Sequence, residues 1–173
     1  MNVTVFCGSS NKAPQDFLKL AYETGVVLAA RKHGLVYGGG GRGLMGEVAR
    51  GFKEFGGFPA HGVTIPRWHD PAVDYAHAQQ VTVCHDIAER KRLLFEAGDA
   101  FVVLPGSFGT FDEVALIMAE AQYGTHNKPI ICISEYFFSP LLALINRMTE
   151  SGLADQSLET RILVIDSPKD LPF

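Results

Sequence analysis

The sequence is short of cysteine and of basic residues, and each shortage excludes a class of protein. Only three cysteines occur in 173 residues, and an odd count in strand-like runs predicts free thiols in a reducing compartment, with the cytoplasm expected. The net charge of −4 argues against a nucleic-acid-binding surface, which needs a basic face. No apolar run is long enough to span a membrane, and residues 1–6 lack the basic region of a signal peptide.

Strand-like and helix-like segments alternate along the chain. Apolar runs predict strands at residues 2–7, 35–37, 58–65, 80–84, 100–103, 129–133 and 161–165. Helical periodicity predicts helices over 14–32, 44–55, 86–97, from Thr110 onward and over 137–150, with an irregular loop at 66–78. The alternation predicts a single α/β domain over residues 1–173, with a doubly wound parallel sheet in three α/β/α layers. Ligands of such sheets bind outside the carboxyl ends of the strands.

A glycine-rich turn follows the second predicted strand. Residues 41–46 match G-x-G-x-x-G, but the next strand ends Val63-Thr64-Ile65 without the acidic residue that would hold a dinucleotide ribose. NAD binding is therefore not expected, and no P-loop motif occurs. Residues 38–43 fit either a tightly packed turn or a loop that brings N–H groups to a phosphate or ribose, and the pattern alone leaves both open.

A second glycine turn lies between the predicted strand at 100–103 and the helix that follows it. Unpaired N–H groups and the helix dipole make such a turn an anion site. Thr110 is expected to be the N-cap, and Thr110-x-x-Glu113 fits a capping box. Glu113 also fits a catalytic role, because a carboxylate kept ionised by the helix N-terminus would stabilise the positive charge of ribosyl transfer.

A third helix start carries adjacent basic residues. Asp86 is the expected N-cap, with Glu89 three residues on and Arg90 and Lys91 following. Arg90 fits either a solvated i,i+4 pair with Asp86 or a partner for a nearby anion, since basic residues in a first helical turn oppose the dipole.

These segments together resemble the Lonely Guy family of nucleoside 5′-monophosphate phosphoribohydrolases, long labelled possible lysine decarboxylases. The resemblance covers nearly the whole chain and rests on five segments: residues 6–10, 37–46, 90–91, 105–113 and 124–129. It implies a Rossmann-like fold, a homodimer or larger assembly, and no cofactor. It also implies hydrolysis of the N-glycosidic bond of AMP or an N6-modified, cytokinin-type AMP, which releases the base and ribose 5-phosphate.

The same resemblance implies the roles of individual residues. Arg90 and Glu113 would form the catalytic pair. The candidate substrate-binding residues lie in the quoted motifs and are Gly8, Ser9, Gly39, Gly40, Gly43, Met45, Lys91, Pro105, Gly106, Ser107, Phe108, Gly109, Thr110 and Asp112. The turn N–H groups would hold the phosphate.

The sequence departs from the family pattern at three places. Ser107 replaces the second glycine of P-G-G-x-G-T-x-x-E, which would cost roughly 1 kcal/mol if the position required positive φ, or would add a hydroxyl donor. Ala119-Glu120 stands where Thr-Trp is usual, and residues 66–79 form a shorter segment without the usual glutamate. These changes lie toward the base end of the site and bear on cytokinin specificity.

Other chemistries are weighed against this hypothesis. Proteins resembling this fold carry the molybdenum cofactor without transforming it, so a non-catalytic carrier is the alternative, which retention of Arg90 and Glu113 disfavours. No lysine is placed for a pyridoxal phosphate Schiff base. The histidines at 61, 69, 77 and 85 have no i,i+4 spacing, and no metal site is expected. Cys7 is expected to be a buried thiol at the end of a strand rather than a nucleophile.

Overall fold

The computed structural model describes residues 1–74 and 77–173. In these ranges strands and helices alternate, as the sequence predicts. The strands are β1 (Asn2–Phe6), β2 (Gly34–Tyr37), β3 (Ala60–Thr64), β4 (Gln80–Val83), β5 (Ala100–Val103), β6 (Ile130–Ile133) and β7 (Ile162–Ile165). The helices are α1 (Gln15–Ala30), α2 (Gly43–Glu54), α3 (Pro71–Asp74), α4 (Ile87–Ala97), α5 (Phe108–Gln122) and α6 (Glu135–Glu150). Short 3-10 helices span Gln156–Thr160 and Pro168–Asp170.

The seven strands form one parallel sheet in the order β4-β3-β2-β1-β5-β6-β7. The chain winds outward from β1 to β4, crosses back to β5 beside β1, and winds outward again to β7. The register places Phe6 opposite Val103, so β1 and β5 end at the same level. The change of winding direction between β1 and β5 is a topological switch point, where a doubly wound sheet opens a crevice for ligands.

Two apolar cores cover the two faces of the sheet. One contains Leu28 of α1 and Phe52 of α2, and the other contains Leu94 of α4, Ile117 of α5 and Phe138 of α6. Burial on both faces explains why the central strands are continuous apolar runs rather than alternating ones. The predicted α/β/α layering is therefore confirmed.

Two predictions close to the sheet edge described below are wrong. Helix α5 begins at Phe108 rather than near Thr110. The segment predicted as an irregular loop contains the short helix α3 (Pro71–Asp74), while residues 75–76 of that prediction lie outside the described residues. Among the helices of the described ranges, none has both the length and the apolar character needed to cross a membrane.

Candidate active site at the sheet edge

The turns after β1 and β5 lie against each other at the switch point. The N–H of Gly8 donates to the carbonyl oxygen of Pro105 at 3.0 Å. A Cβ atom on Gly8 would lie 3.3 Å from Cα of Gly106, so the two backbones approach closely. This contact brings the first glycine turn and the start of α5 to one crevice, as expected for a doubly wound sheet.

The start of α5 differs from the predicted capping box. Ser107 is the N-cap, its side chain makes no capping hydrogen bond, and its φ of −105° is ordinary for any residue. The strain considered for a serine at this position therefore does not arise. Thr110 is buried inside the first turn, where a Cβ on Gly106 would lie 2.0 Å from its Oγ1. With no side-chain cap at Ser107, the first N–H groups of α5 remain available to an anion.

Glu113 pairs with Arg90 instead of capping its own helix. Nη1 of Arg90 lies 3.1 Å from Oε1 of Glu113, and Nε of Arg90 donates to the carbonyl oxygen of Val63 at 2.9 Å. Arg90 is 6% exposed and Glu113 is 8% exposed. Of the two alternatives left open for Arg90, the solvated pair with Asp86 is wrong, because Arg90 forms a buried ion pair that joins α4 to α5. Asp86 instead caps α4, as predicted, by accepting from the N–H of Glu89.

Burial sets the electrostatics of this pair. It raises the pKa of Glu113 above the usual range of a glutamate, and the charge of Arg90 opposes the rise. The direction is opposite to the one expected from the helix N-terminus alone. Cys7 lines the same cleft, and burial, with a smaller effect of the Glu113 charge, raises the pKa of its thiol. Cys7 is therefore a buried thiol, as the sequence predicts, because a nucleophilic cysteine needs a lowered pKa.

A second ion pair lies beside the first and is more exposed. Nζ of Lys91 lies 3.0 Å from the carboxylate of Asp112. The two pairs join consecutive residues of α4 to consecutive residues of α5, so they fix the N-terminal halves of these helices against each other. Neighbouring positions on a helix point about 100° apart, so Asp112 points away from Glu113. Its carboxylate meets Lys91 instead of Arg90.

The glycine turn after β2 is tightly packed at Gly43 and lines the cleft at Gly38 and Gly40. Gly39 and Gly43 have positive φ values of 78° and 57°, and a Cβ on Gly43 would lie 2.5 Å from the backbone of Ser9. Gly38 leaves room for the catalytic candidate, because a Cβ there would lie 2.3 Å from Nη2 of Arg90. The interpretation as a tightly packed turn is confirmed at Gly43, and Gly38 and Gly40 line the cleft.

These elements enclose an open cleft with a cavity volume of about 230 Å³. Nine of the predicted site residues line it: Gly8, Ser9, Gly40, Met45, Arg90, Ser107, Gly109, Thr110 and Glu113. Pro105 and Gly106 instead line the adjoining pocket with Gly8 and Ser107. Gly39 and Gly43 support the turn, Lys91 and Asp112 form the outer ion pair, and Phe108 points outward with 90% of its side chain exposed.

Four residues of the cleft were not among the predicted binding residues. They are Cys7, Gly38, Thr64 and Trp68. The position of Gly38 in the glycine run was a usable signal, since its neighbours Gly39 and Gly40 were predicted to bind substrate. Trp68 carried no usable signal, because it lies in a segment without periodicity.

The histidines do not assemble a metal centre in the described ranges. His61 hydrogen-bonds through Nε2 to Oγ1 of Thr82 at 2.8 Å. Within residues 1–74 and 77–173, no group of three or more His, Cys, Asp or Glu side chains is arranged to hold a metal ion.

Comparison with solved structures agrees with the architecture. The chain superposes with a TM-score of 0.72 on a molybdenum cofactor binding protein from the phototrophic bacterium Rippkaea orientalis, over 97% of this chain and 90% of that one. The sequence identity is 22%, so this likeness shows the fold alone.

Sequence relatives identify the family. Residues 45–172 match the family model described as "Possible lysine decarboxylase". The chain is 35% identical over 166 residues to the cytokinin riboside 5′-monophosphate phosphoribohydrolase of Rhodococcoides fascians, covering 94% of this chain and 83% of that protein. It is 32% identical over 169 residues to the protein of the same name from Mycobacterium tuberculosis, covering 97% and 89%. The chain belongs to the possible lysine decarboxylase family, also called the Lonely Guy family.

Proposed function

We propose that the protein hydrolyses the N-glycosidic bond of a purine nucleoside 5′-monophosphate, either AMP or an N6-modified AMP of cytokinin type. The observation that carries the proposal is the buried pair of Arg90 and Glu113, which lies in the cleft where helix α5 begins. The names of the relatives from Rhodococcoides fascians and Mycobacterium tuberculosis support the same reaction and substrate class.

Glu113 is proposed to stabilise the reacting sugar. As the bond between C1′ and the base nitrogen lengthens, positive charge develops on the ribosyl group, and an adjacent carboxylate stabilises that charge. The same carboxylate orients a water molecule, whose oxygen bonds to C1′. One proton of the water ends on the departing base, so the products are the free base and ribose 5-phosphate.

Arg90 is proposed to position Glu113 and to offset negative charge on the substrate. Its Nε is held by the carbonyl oxygen of Val63, and its Nη1 is held by Glu113. A guanidinium fixed at two points keeps its geometry during the reaction, which reduces the cost of reorganisation in the transition state.

The phosphate is proposed to bind at the start of α5. The first N–H groups of this helix are free of a side-chain cap, and Ser107, Gly109 and Thr110 line the cleft there. Gly109 has open space around the position of a Cβ, so a ligand can approach the backbone. Lys91 adds a positive charge at the outer edge.

A molybdenum cofactor carrier is the competing function. It is supported by a structural likeness to a carrier at 22% sequence identity, and a likeness at this level shows a shared fold but not a shared ligand. The buried pair in the cleft favours a hydrolase, because ribosyl transfer needs a carboxylate beside the positive charge that develops on the sugar.

We also propose that the protein is a homodimer or a larger assembly. Helices α5 and α6 form an apolar groove in which Phe111, Leu144 and Met148 remain at least 40% exposed. A second copy would cover this surface. Light scattering after gel filtration tests this: Leu144→Lys in the groove is expected to reduce the mass, whereas Tyr136→Lys on the exposed part of α6 is not.

Two further expectations complete the proposal. The protein is proposed to act in the cytoplasm, which the three free buried cysteines support, and to bind small nucleotides rather than nucleic acid, which its net charge supports.

The test of the reaction is an incubation with AMP and with N6-isopentenyl-AMP, followed by chromatography of the products. Free base is expected from at least one of them, and Glu113→Ala and Arg90→Ala are expected to abolish its release. Absence of base from every purine monophosphate tested contradicts the proposal.

A further inference from the structure

An exposed indole lies on the wall of the cleft. Trp68 is the single tryptophan of the sequence, 54% of its side chain is exposed, and it lines the cleft together with Arg90 and Glu113. A large aromatic side chain that stays half exposed inside a cleft forgoes burial, whereas an aromatic ligand would complete that burial.

The backbone holds Trp68 in a fixed place relative to Arg90. Trp68 lies in a turn in which its own N–H and that of His69 both donate to the carbonyl oxygen of Ile65 at 3.0 Å. This turn directly follows β3, whose residue Val63 accepts the hydrogen bond from Nε of Arg90. The same short segment therefore sets the position of both the indole and the guanidinium.

The indole contacts the arginine without being covered by it. Cζ of Arg90 lies 5.5 Å from the centroid of the Trp68 ring, a cation–π distance, and more than half of the side chain remains exposed. Met45 and Thr64 line the same cleft, so part of its wall is uncharged. A planar neutral ring suits such a surface, whereas a phosphate or a bare sugar does not.

We propose that Trp68 is the residue on which the purine base of the substrate stacks, and that it makes the protein select base-bearing ligands over ribose phosphates. This rests on the proposed function, because it takes the bound ligand to be a purine nucleotide. Base–aromatic stacking depends on the π-face and not on hydrogen bonds, so Trp68 discriminates aromatic bases from non-aromatic groups more than one purine from another.

Intrinsic fluorescence gives a direct test, because all tryptophan emission comes from Trp68. The Glu113→Gln variant is titrated with AMP and, separately, with ribose 5-phosphate, and heat release in a calorimeter reports binding independently. We expect AMP to change the emission in proportion to binding, while ribose 5-phosphate binds without a comparable change. Binding of AMP in the calorimeter with unchanged emission overturns the inference.

Substitutions of Trp68 distinguish a role in stacking on the base from a role that only holds Arg90 in place. Trp68→Ala is expected to raise the KM for the nucleotide at least about fivefold, the lower end of a base-stacking contribution, with kcat changed much less. Trp68→Phe is expected to restore most of the lost affinity, whereas Trp68→Leu, which is bulky but not aromatic, is not. Tyr136→Ala, an exposed aromatic residue on α6 outside the cleft, serves as the matched control.

The outcomes distinguish this inference from the hydrolase proposal. If the protein releases base and Trp68→Ala has an unchanged KM, only the role of Trp68 is refuted. A fall in kcat with an unchanged KM also refutes it, because that pattern indicates support of Arg90. If AMP binds and changes the emission but no base is released, stacking stands and the hydrolase fails. If no purine monophosphate binds at all, both fail.

Discussion

Nη1 of Arg90 lies 3.1 Å from Oε1 of Glu113, and the two residues reach this buried contact from the N-terminal halves of different helices. A buried ion pair contributes little net stability, because desolvation of the two charges offsets their attraction. The pair lies in the cleft where the phosphate is proposed to bind, so a role in catalysis accounts for it better than a role in stability.

The first prediction separates stability from activity at this pair. Glu113→Ala leaves the Arg90 guanidinium buried without its partner, which is expected to lower the free energy of unfolding by about 3 to 5 kcal/mol. The double variant Arg90→Met with Glu113→Leu is expected to unfold with a free energy close to that of the wild type while remaining inactive. Urea denaturation and an assay of base release measure both. A double variant less stable than Glu113→Ala contradicts this account of the pair.

The second prediction concerns Gly38. A Cβ at this position would lie 2.3 Å from Nη2 of Arg90 and 2.9 Å from Cε of Met45. The neighbouring atoms belong to side chains and not to the backbone, so Gly38→Ala is expected to displace the guanidinium and to lower the melting temperature less than Glu113→Ala does. A displacement of about 1 Å in a reacting group can lower the rate roughly 100-fold. Steady-state kinetics check this, and an unchanged kcat/KM would show that the position of Arg90 is not critical.

The third prediction compares two glycines at the start of α5. A Cβ on Gly106 would lie 2.0 Å from Oγ1 of Thr110, whereas a Cβ on Gly109 would meet nothing within 4 Å. Gly106→Ala is therefore expected to lower the melting temperature, and Gly109→Ala is expected to preserve it. Because Gly109 faces the cleft, its alanine variant is expected to bind nucleotide more weakly. Calorimetric scans and nucleotide titrations measure the two effects, and equal melting temperatures for the two variants would be inconsistent with the described turn.

The fourth prediction is a dependence on pH. Burial raises the pKa of Glu113 by more than the charge of Arg90 lowers it. The ionised form is therefore lost at a higher pH than for an ordinary glutamate. The acid limb of kcat in the wild type is expected above the usual glutamate range. The pKa of Glu113 itself is expected to rise further in Arg90→Gln, and carbon NMR of the labelled carboxylate measures this without turnover. An unchanged or lower pKa of Glu113 in Arg90→Gln would contradict the described pair.

The raised pKa of Glu113 also determines how the free energy of unfolding changes with pH. A raised pKa in the folded state means that this state favours protonated Glu113. The contribution of Glu113 to the free energy of unfolding is full below its unfolded pKa and is lost as the pH rises through its folded pKa. The stability of the wild type relative to Glu113→Gln is therefore expected to fall with rising pH, which denaturation at several pH values measures.

The fifth prediction concerns the thiols. All three cysteines are free and buried, and burial raises the pKa of Cys7, of Cys84 and of Cys132, the last to about 12. Thiolates are the reactive form, so the native protein is expected to react slowly with a thiol reagent at pH 8 and to expose three thiols on unfolding. Rapid modification of one thiol in the native state would contradict the described burial.

The sequence predicts the architecture well because the central strands are apolar runs buried on both faces, and the long helices have helical periodicity. Strand boundaries follow directly, as at Ala100–Val103. The start of α5 was misjudged because Thr110-x-x-Glu113 satisfies the local capping pattern. In the structure Thr110 packs against Gly106, and Glu113 is drawn to Arg90, 23 positions earlier in the chain. A distant ion pair outweighed a local pattern.

The roles of Gly38 and Trp68 could not be predicted from the sequence, for two different reasons. The use of Gly38 is to leave space, and that becomes evident only once the Nη2 atom of Arg90 is placed beside it. Trp68 lies in an aperiodic segment, so no pattern ties it to Arg90, whereas the turn at Ile65 brings the two together.

The balance of products from a purine monophosphate tests the central claim most directly. The wild-type protein is incubated with AMP and with N6-isopentenyl-AMP, and base, ribose 5-phosphate, nucleoside and inorganic phosphate are quantified. The account predicts equimolar base and ribose 5-phosphate from at least one substrate, with no nucleoside, and no products from Glu113→Gln. Release of phosphate and nucleoside instead, or base release that Glu113→Gln retains in full, would contradict it.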